Sequence, residues 1–199
     1  MPDENPPKLG LRERKKVKTK ATIQSNAMQL FREQGYQATT VEQIAELSEI
    51  SPSTFFRYFA TKEAVVVEDD YDPLLVENYR KQPEGLHPIR AFRNALREGY
   101  STISEEERTA LWDRISLTMS IPELRAPLLQ QVMGTVNMIG TIIAERQGCD
   151  PDDLKIRALA AALVGIMVSV QMHYNEHPER EFVDLADEAL ALMEAGFPL

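Results

Sequence analysis

Apolar residues recur at spacings of three and four along almost the whole chain, and no stretch alternates long enough to make a strand. After a basic run, RERKKVKTK from Arg12 to Lys20, Ile23, Ala27, Leu30 and Phe31 share one helical face, with Gly35 placed as a C-cap glycine. A short helix follows with Val41, Ile44, Ala45 and Leu47 on one side, capped by Thr39 or Thr40. After the break Ser48-Glu49, Ile50 plugs the corner. Ser51-Pro52 then gives an N-cap and a first-position proline, whose missing N–H costs nothing there. This second short helix sets Phe55 and Phe59 four residues apart, so both face inward. Ser53, Thr54, Arg57 and Tyr58 are left outside. Thr61 caps a third helix with Lys62 at its start, continuing past a bend at Asp72-Pro73 to about Gln82.

The segment QPEGLHP, Gln82 to Pro88, reads as a loop. Beyond it, Ile89, Phe92, Leu96, Tyr100 and Ile103 form an apolar stripe. Ser104 and three glutamates open a helix carrying Leu111, Trp112, Ile115 and Met119. Ile121-Pro122 restarts the chain into a long helix ended by Gly148. Asp150-Pro151-Asp152-Asp153 is a strong start signal, with Asp150 as cap, for a helix that is apolar nearly all round after Arg157. Such a helix is expected to be buried on most sides. A last helix spans Pro178 to Ala195. The pattern predicts an all-α protein of about nine helices: a disordered tail at 1–10, a three-helix N-terminal domain at 11–62, and a larger helical domain at 63–199.

Charge sharpens this division. The formal net charge of −9 argues against a nucleic-acid partner, but the charge is segregated. From Lys8 to Lys62 there are ten basic and five acidic residues; from Glu63 onward there are twelve and twenty-four. A basic module is joined to an acidic body. Cys149 is the only cysteine, which excludes an internal disulfide and a cysteine-rich zinc site. No N-terminal stretch resembles a signal peptide, and the apolar run from Ala158 to Val170 falls short of the ~20 residues a bilayer span needs. A soluble cytoplasmic protein without a membrane partner is expected.

Two capped short helices in a basic module read as a helix-turn-helix that binds double-stranded DNA. The basic run before it, including Lys16 and Lys20, suits phosphate contact. Catalysis finds little support: three histidines, His87, His173 and His177, occur without an HExxH, a nucleophile elbow or a glycine-rich phosphate loop. No catalytic residue, metal or cofactor is expected, and a helical enzyme is the disfavoured alternative.

The combination GYQATTVEQIAELSEISPSTFFRYFATKEAV resembles the TetR family of transcriptional regulators. Gly35, Tyr36, Thr39, Thr40, Ile44, Ala45, Thr54, Tyr58, Phe59, Lys62 and Glu63 carry the resemblance, which covers the first third of the chain. It implies a homodimer on a palindromic operator, with recognition helices one DNA turn, about 34–36 Å, apart or a multiple of that. By position it places Thr39, Thr40, Pro52, Ser53, Thr54, Phe56, Arg57, Tyr58 and Lys62 at the DNA. Thr40 and Lys62 would hold phosphates from helix N-termini. Where the family usually has tyrosine, this chain has Phe56. Arg57 suits either bidentate guanine reading or a phosphate grip.

The resemblance also implies a small-molecule effector and a dimer seam in the helical body. Candidate effector-pocket residues are Phe92, Tyr100, Trp112, Met119, Met133, Met138, Met167 and His173, all of which also suit plain core. Ala158, Ala162, Gly165 and Ser169, spaced four, three and four, make a close-approach face. With Ala186, Leu190 and Met193 of the last helix it is the candidate dimer interface, or else tight packing within one subunit. Several segments, among them ELRAPLL and RALAAALVG, look like the branch that includes the mycofactocin-system regulator, which implies an acyl thioester or another apolar effector. Arg90, Arg93 and Arg97 line one helical face that reads as solvated. Repression is the expected mode; an activator or a partner-controlled regulator is the alternative.

Overall fold

Ten α-helices and one 3-10 turn make up the described residues, 11–68 and 72–198 of the computed structural model, with no strand among them. The tail expected at 1–10 lies outside the described residues. α1 (Leu11–Gln34) ends at Gly35, whose φ of +86° is the left-handed value that favours glycine. α2 (Val41–Leu47) is capped by Thr40 and not Thr39: Thr40 Oγ1 accepts from the Gln43 N–H at 3.3 Å, and Gln43 Oε1 accepts from the Thr40 N–H at 2.8 Å. The turn passes through Glu49 at φ +55°, a conformation unfavourable to a side chain. Ser51 caps α3 (Pro52–Tyr58), which buries Phe55.

The continuous helix expected from Thr61 to Gln82 is two pieces, α4 (Ala64–Val67) and α5 (Asp72–Lys81), which brings the total to ten. Pro73 falls in the first turn of α5, where a missing N–H is tolerated. α6 (Pro88–Thr102) follows, then α7 (Glu105–Ser120), opened by a Ser104–Glu107 capping box. A 3-10 turn at Pro122–Leu124 leads into α8 (Arg125–Gln147), closed by Gly148 at φ +63°. α9 (Leu154–Glu176) is capped by Asp153 and not by Asp150, because Asp150 closes a turn with the Asp152 and Asp153 N–H groups. α10 (Phe182–Glu194) completes the body.

The expected division at 62/63 is crossed by packing. Leu124 is fully buried in the same core as Ile23, Phe55, Phe59, Val65 and Val66, with Leu117 and Ile121 against it. Arg32 Nη2 meets Asp113 Oδ2 at 2.8 Å, and Gln37 Nε2 meets Glu123 Oε1 at 2.6 Å. The end of α7 is therefore wedged into the N-terminal bundle. The main core of the body joins α5, α6, α8, α9 and α10. At Gly140 an added Cβ would meet Ala160 Cβ at 3.8 Å, so small residues bring α8 and α9 together.

Two expectations change here. The arginines of α6 are paired and not merely solvated: Arg90 and Arg97 stay half exposed, whereas Arg93 is largely covered. Arg90 pairs with Glu194 at 3.0 Å, Arg93 with Asp187 at 2.7 Å and Glu194 at 2.6 Å, and Arg97 with Asp184 at 3.3 Å. They tie α6 to α10. α9 is covered on one side only, although it alone among the described helices has the length and apolarity of a membrane span. Leu154 is 80% exposed, and Val168 and Met172 are exposed too.

Candidate DNA-reading face and effector cavity

α3 offers Pro52, Ser53, Phe56 and Arg57 to solvent, with Thr54 and Tyr58 half-buried. Phe56 is 53% exposed and stands edge-on to buried Phe55, so an apolar ring projects from the helix that would enter a groove. The Arg57 guanidinium lies 5.6 Å from the Tyr58 ring, which limits its freedom without removing its donors. Thr40 is exposed at the start of α2.

Three of the sequence candidates sit differently. Thr39 is 1% exposed, and its Oγ1 donates to the Gly35 carbonyl at 2.9 Å, so it joins the loop and is not presented to DNA. Adjacent threonines look alike in sequence; the backbone turn decides which one is buried. Lys20 pairs with Glu68 at 3.3 Å and lies 5.2 Å from the Phe59 ring, whereas Lys16 is exposed. Lys62 donates to the carbonyls of Tyr36 and Thr39, each at 2.9 Å, which uses two of its three N–H donors. Beside it the Tyr36 hydroxyl donates to Glu63 at 2.5 Å; this bond holds the Glu63 carboxyl below its ordinary range, while burial and Glu63 push the phenol up.

Behind this reader lies a cavity of about 340 Å³ between α4, α5, α6, α7, α8 and α9. Its wall is mostly apolar. Phe92, Tyr100, Trp112, Met119 and Met167 line it; Met133, Met138 and His173 do not. Met133 and His173 are exposed on their helices, and Met138 packs against the main core from outside the cavity. Periodicity alone does not tell which side of a long helix meets a cavity. The Tyr100 hydroxyl donates to Glu181 at 3.1 Å, and burial followed by that carboxylate pushes its pKa up to about 12. Residues that the sequence did not single out for a pocket also line the cavity, among them Val66 and Val67 of α4, Arg114 and Thr118 of α7, Gln131, Thr135 and Gln171. Arg114 and Thr118 fall three and seven residues after Leu111, on the apolar face of α7. A polar residue inside an apolar stripe is the signal that marks them.

Ala158, Ala162, Gly165 and Ser169 form an exposed strip along α9. Ala186 and Leu190, expected beside them, are fully buried within the subunit against α6 and α9, and Met193 is half-buried there. The ion pairs to α6 turn that side of α10 inward. The apolar surface actually left open includes Leu154 and Met172 of α9 and Leu192 of α10, whereas Val168 lines the cavity. Among the described residues no cluster of His, Cys, Asp and Glu is arranged to hold a metal.

Residues 23–68 match the family described as bacterial regulatory proteins, tetR family, and residues 86–198 match the MftR C-terminal domain. The regulator TcmR of Streptomyces glaucescens is 32% identical over 190 residues, covering 90% of this chain and 84% of that protein. A protein of Mycobacterium tuberculosis named as the mycofactocin biosynthesis regulator MftR is 26% identical over 187 residues, covering 92% and 87%. The fold resembles that of Thermus thermophilus FadR, a repressor solved with lauroyl-CoA: TM-score 0.55, 24% identity, covering 90% of this chain and 95% of that one. The helix-turn-helix at the N-terminus and the MftR-type helical domain behind it make this chain a TetR-family transcriptional regulator.

Proposed function

We propose that the protein is a homodimeric repressor, released from a palindromic operator by a small, largely apolar effector bound in the helical body. The observation that carries this reading is the position of the cavity: α4, which buries Val65 and Val66 in the core of the DNA-binding module, also contributes Val66 and Val67 to the cavity wall. An occupant that favours one placement of α4 would shift the spacing of two recognition helices. The apolar lining suits an acyl chain or a ring system, and an acyl thioester is one candidate because the FadR neighbour holds one. The α6 arginines, already paired with α10, are poor hosts for the phosphates of a coenzyme A moiety. The open strip on α9 supports a second copy as the partner of that face.

The test is an unbiased selection of DNA fragments by the purified protein, with native mass spectrometry of the same preparation. The expected result is a palindromic site, a dimer mass and a co-purifying small molecule, with binding that weakens steeply in salt. Failure to enrich any palindrome would overturn the reading.

A further inference from the structure

The C-terminal end of α4 is held from inside the cavity. Arg114, 8% exposed on α7, lines the cavity and donates from Nη1 to the Val66 carbonyl at 3.3 Å and to the Glu68 carbonyl. One turn later Thr118, also in the lining, bonds the Arg114 carbonyl at 2.8 Å, with its Oγ1 3.4 Å from the Val66 carbonyl. The last carbonyls of a helix have no partner within it, so an external donor fixes where the helix ends. α4 has only one turn, and it is also attached to the reader: Gln24 of α1 donates to the Val65 carbonyl at 3.2 Å, and Val65 and Val66 are buried with Phe55 and Phe59. Arg114 thus belongs to the cavity wall, and its guanidinium holds the helix that links that wall to the reader.

We propose that Arg114 is the latch that reports cavity occupancy to the DNA-binding module. An apolar occupant bearing an acceptor oxygen, such as a carboxylate, competes with the Val66 and Glu68 carbonyls for the guanidinium. A charge-assisted bond to an anionic oxygen is stronger than one to a neutral carbonyl, so the occupant draws Arg114 away and α4 loosens. Thr118, one turn away, reaches the same Val66 carbonyl. This inference rests on the ligand-responsive reading above and names the residue through which the response runs.

Hydrogen exchange on the full chain without DNA tests it, so the outcome does not depend on operator binding. The reporters are the Val66, Val67 and Glu68 amides, bonded to the Glu63 and Ala64 carbonyls. Arg114→Met should speed their exchange about tenfold while leaving α10 amides unchanged, with partial rescue in Arg114→Lys. Thr118→Val, with a smaller effect in the same place, serves if Arg114→Met does not fold. Decanoate should shift the fluorescence of Trp112, the single tryptophan, and speed the α4 amides in the wild type, whereas decylammonium should not speed them. Wild-type protection of these amides in folded Arg114→Met would overturn the latch. A Trp112 response to decanoate without faster α4 exchange would overturn it equally.

Discussion

The Lys62 ammonium stands 4.1 Å from the centroid of the Tyr36 ring and donates to that residue's carbonyl at 2.9 Å. The contact locks the loop between α1 and α2 to the start of α4, and one N–H donor is left for a phosphate. Lys62→Met should therefore act twice. Loss of two charge-assisted bonds from a half-buried group should lower stability by about 1–2 kcal/mol, read by denaturant unfolding. Loss of the phosphate contact should reduce the salt slope of DNA binding by about one per subunit, about two for the dimer. A destabilised protein with an unchanged slope would assign Lys62 to the loop alone.

Phe56 is the exposed ring of α3, and its removal leaves the core intact because Phe55 and Phe59 supply the packing. Phe56→Ala should leave the melting temperature unchanged within about a degree and weaken operator binding by about 1–2 kcal/mol, the scale of one apolar contact to base or sugar. Phe56→Tyr, which restores a hydroxyl, should change affinity without changing stability. Fluorescence anisotropy on a selected site distinguishes the two effects.

Arg57 is exposed beside Tyr58 and makes no described bond to its own body beyond that ring contact. If it reads a guanine, Arg57→Ala costs about 1–3 kcal/mol per half-site and relaxes the preference at one base pair of each. Repeating the DNA selection with the variant checks this. A uniform loss across all sequences would place the guanidinium on phosphate.

What the chain revealed in advance was local. Ser51-Pro52, Ser104 with Glu107, and the glycines 35 and 148 announce helix ends through bonding within a few residues, and those ends are where the signals put them. The helix-turn-helix was legible for the same reason. Long-range facts were not. Arg93 reaches Asp187 across 94 positions, and no spacing on α6 alone distinguishes a paired arginine from a solvated one. Leu124 entering the N-terminal core depends on a 3-10 turn that re-aims the chain after α7. Arg114 is marked in the sequence only as a charge within an apolar stripe; that it reaches the Val66 and Glu68 carbonyls, 48 and 46 positions away, no local pattern tells.

The α6–α10 ion pairs predict acid sensitivity. Hydrogen bonds from Arg93 hold the Asp187 carboxyl below its ordinary range, and those from Arg90 and then Arg93 do so for Glu194. A carboxylate with a depressed folded-state pKa contributes stability that is fully present above its unfolded value and lost as pH falls through the folded one. Wild-type stability should therefore drop steadily as pH falls below about 4. Arg93→Met should be less stable at neutral pH by about 1 kcal/mol, discounted because both carboxylates are partly exposed. It should also show a flatter acid limb. Denaturant midpoints measured from neutral pH into the acid range check the slope.

The open strip on α9 predicts the oligomeric state through Gly165. An added Cβ there meets nothing within 4 Å, so the subunit itself accommodates a side chain at this position. Glutamate is also a better helix former than glycine, by about 0.5–1 kcal/mol. Within one chain Gly165→Glu should therefore be neutral or stabilising. Against a second copy the result reverses: a charged side chain among exposed Ala158, Ala162 and Ser169 would be desolvated without a partner and would hold the two faces apart. The expected outcome is a folded monomer by native mass spectrometry, with operator affinity reduced by at least tenfold because two linked half-sites become independent. A dimer that persists with unchanged DNA affinity would place the subunit contact away from this strip.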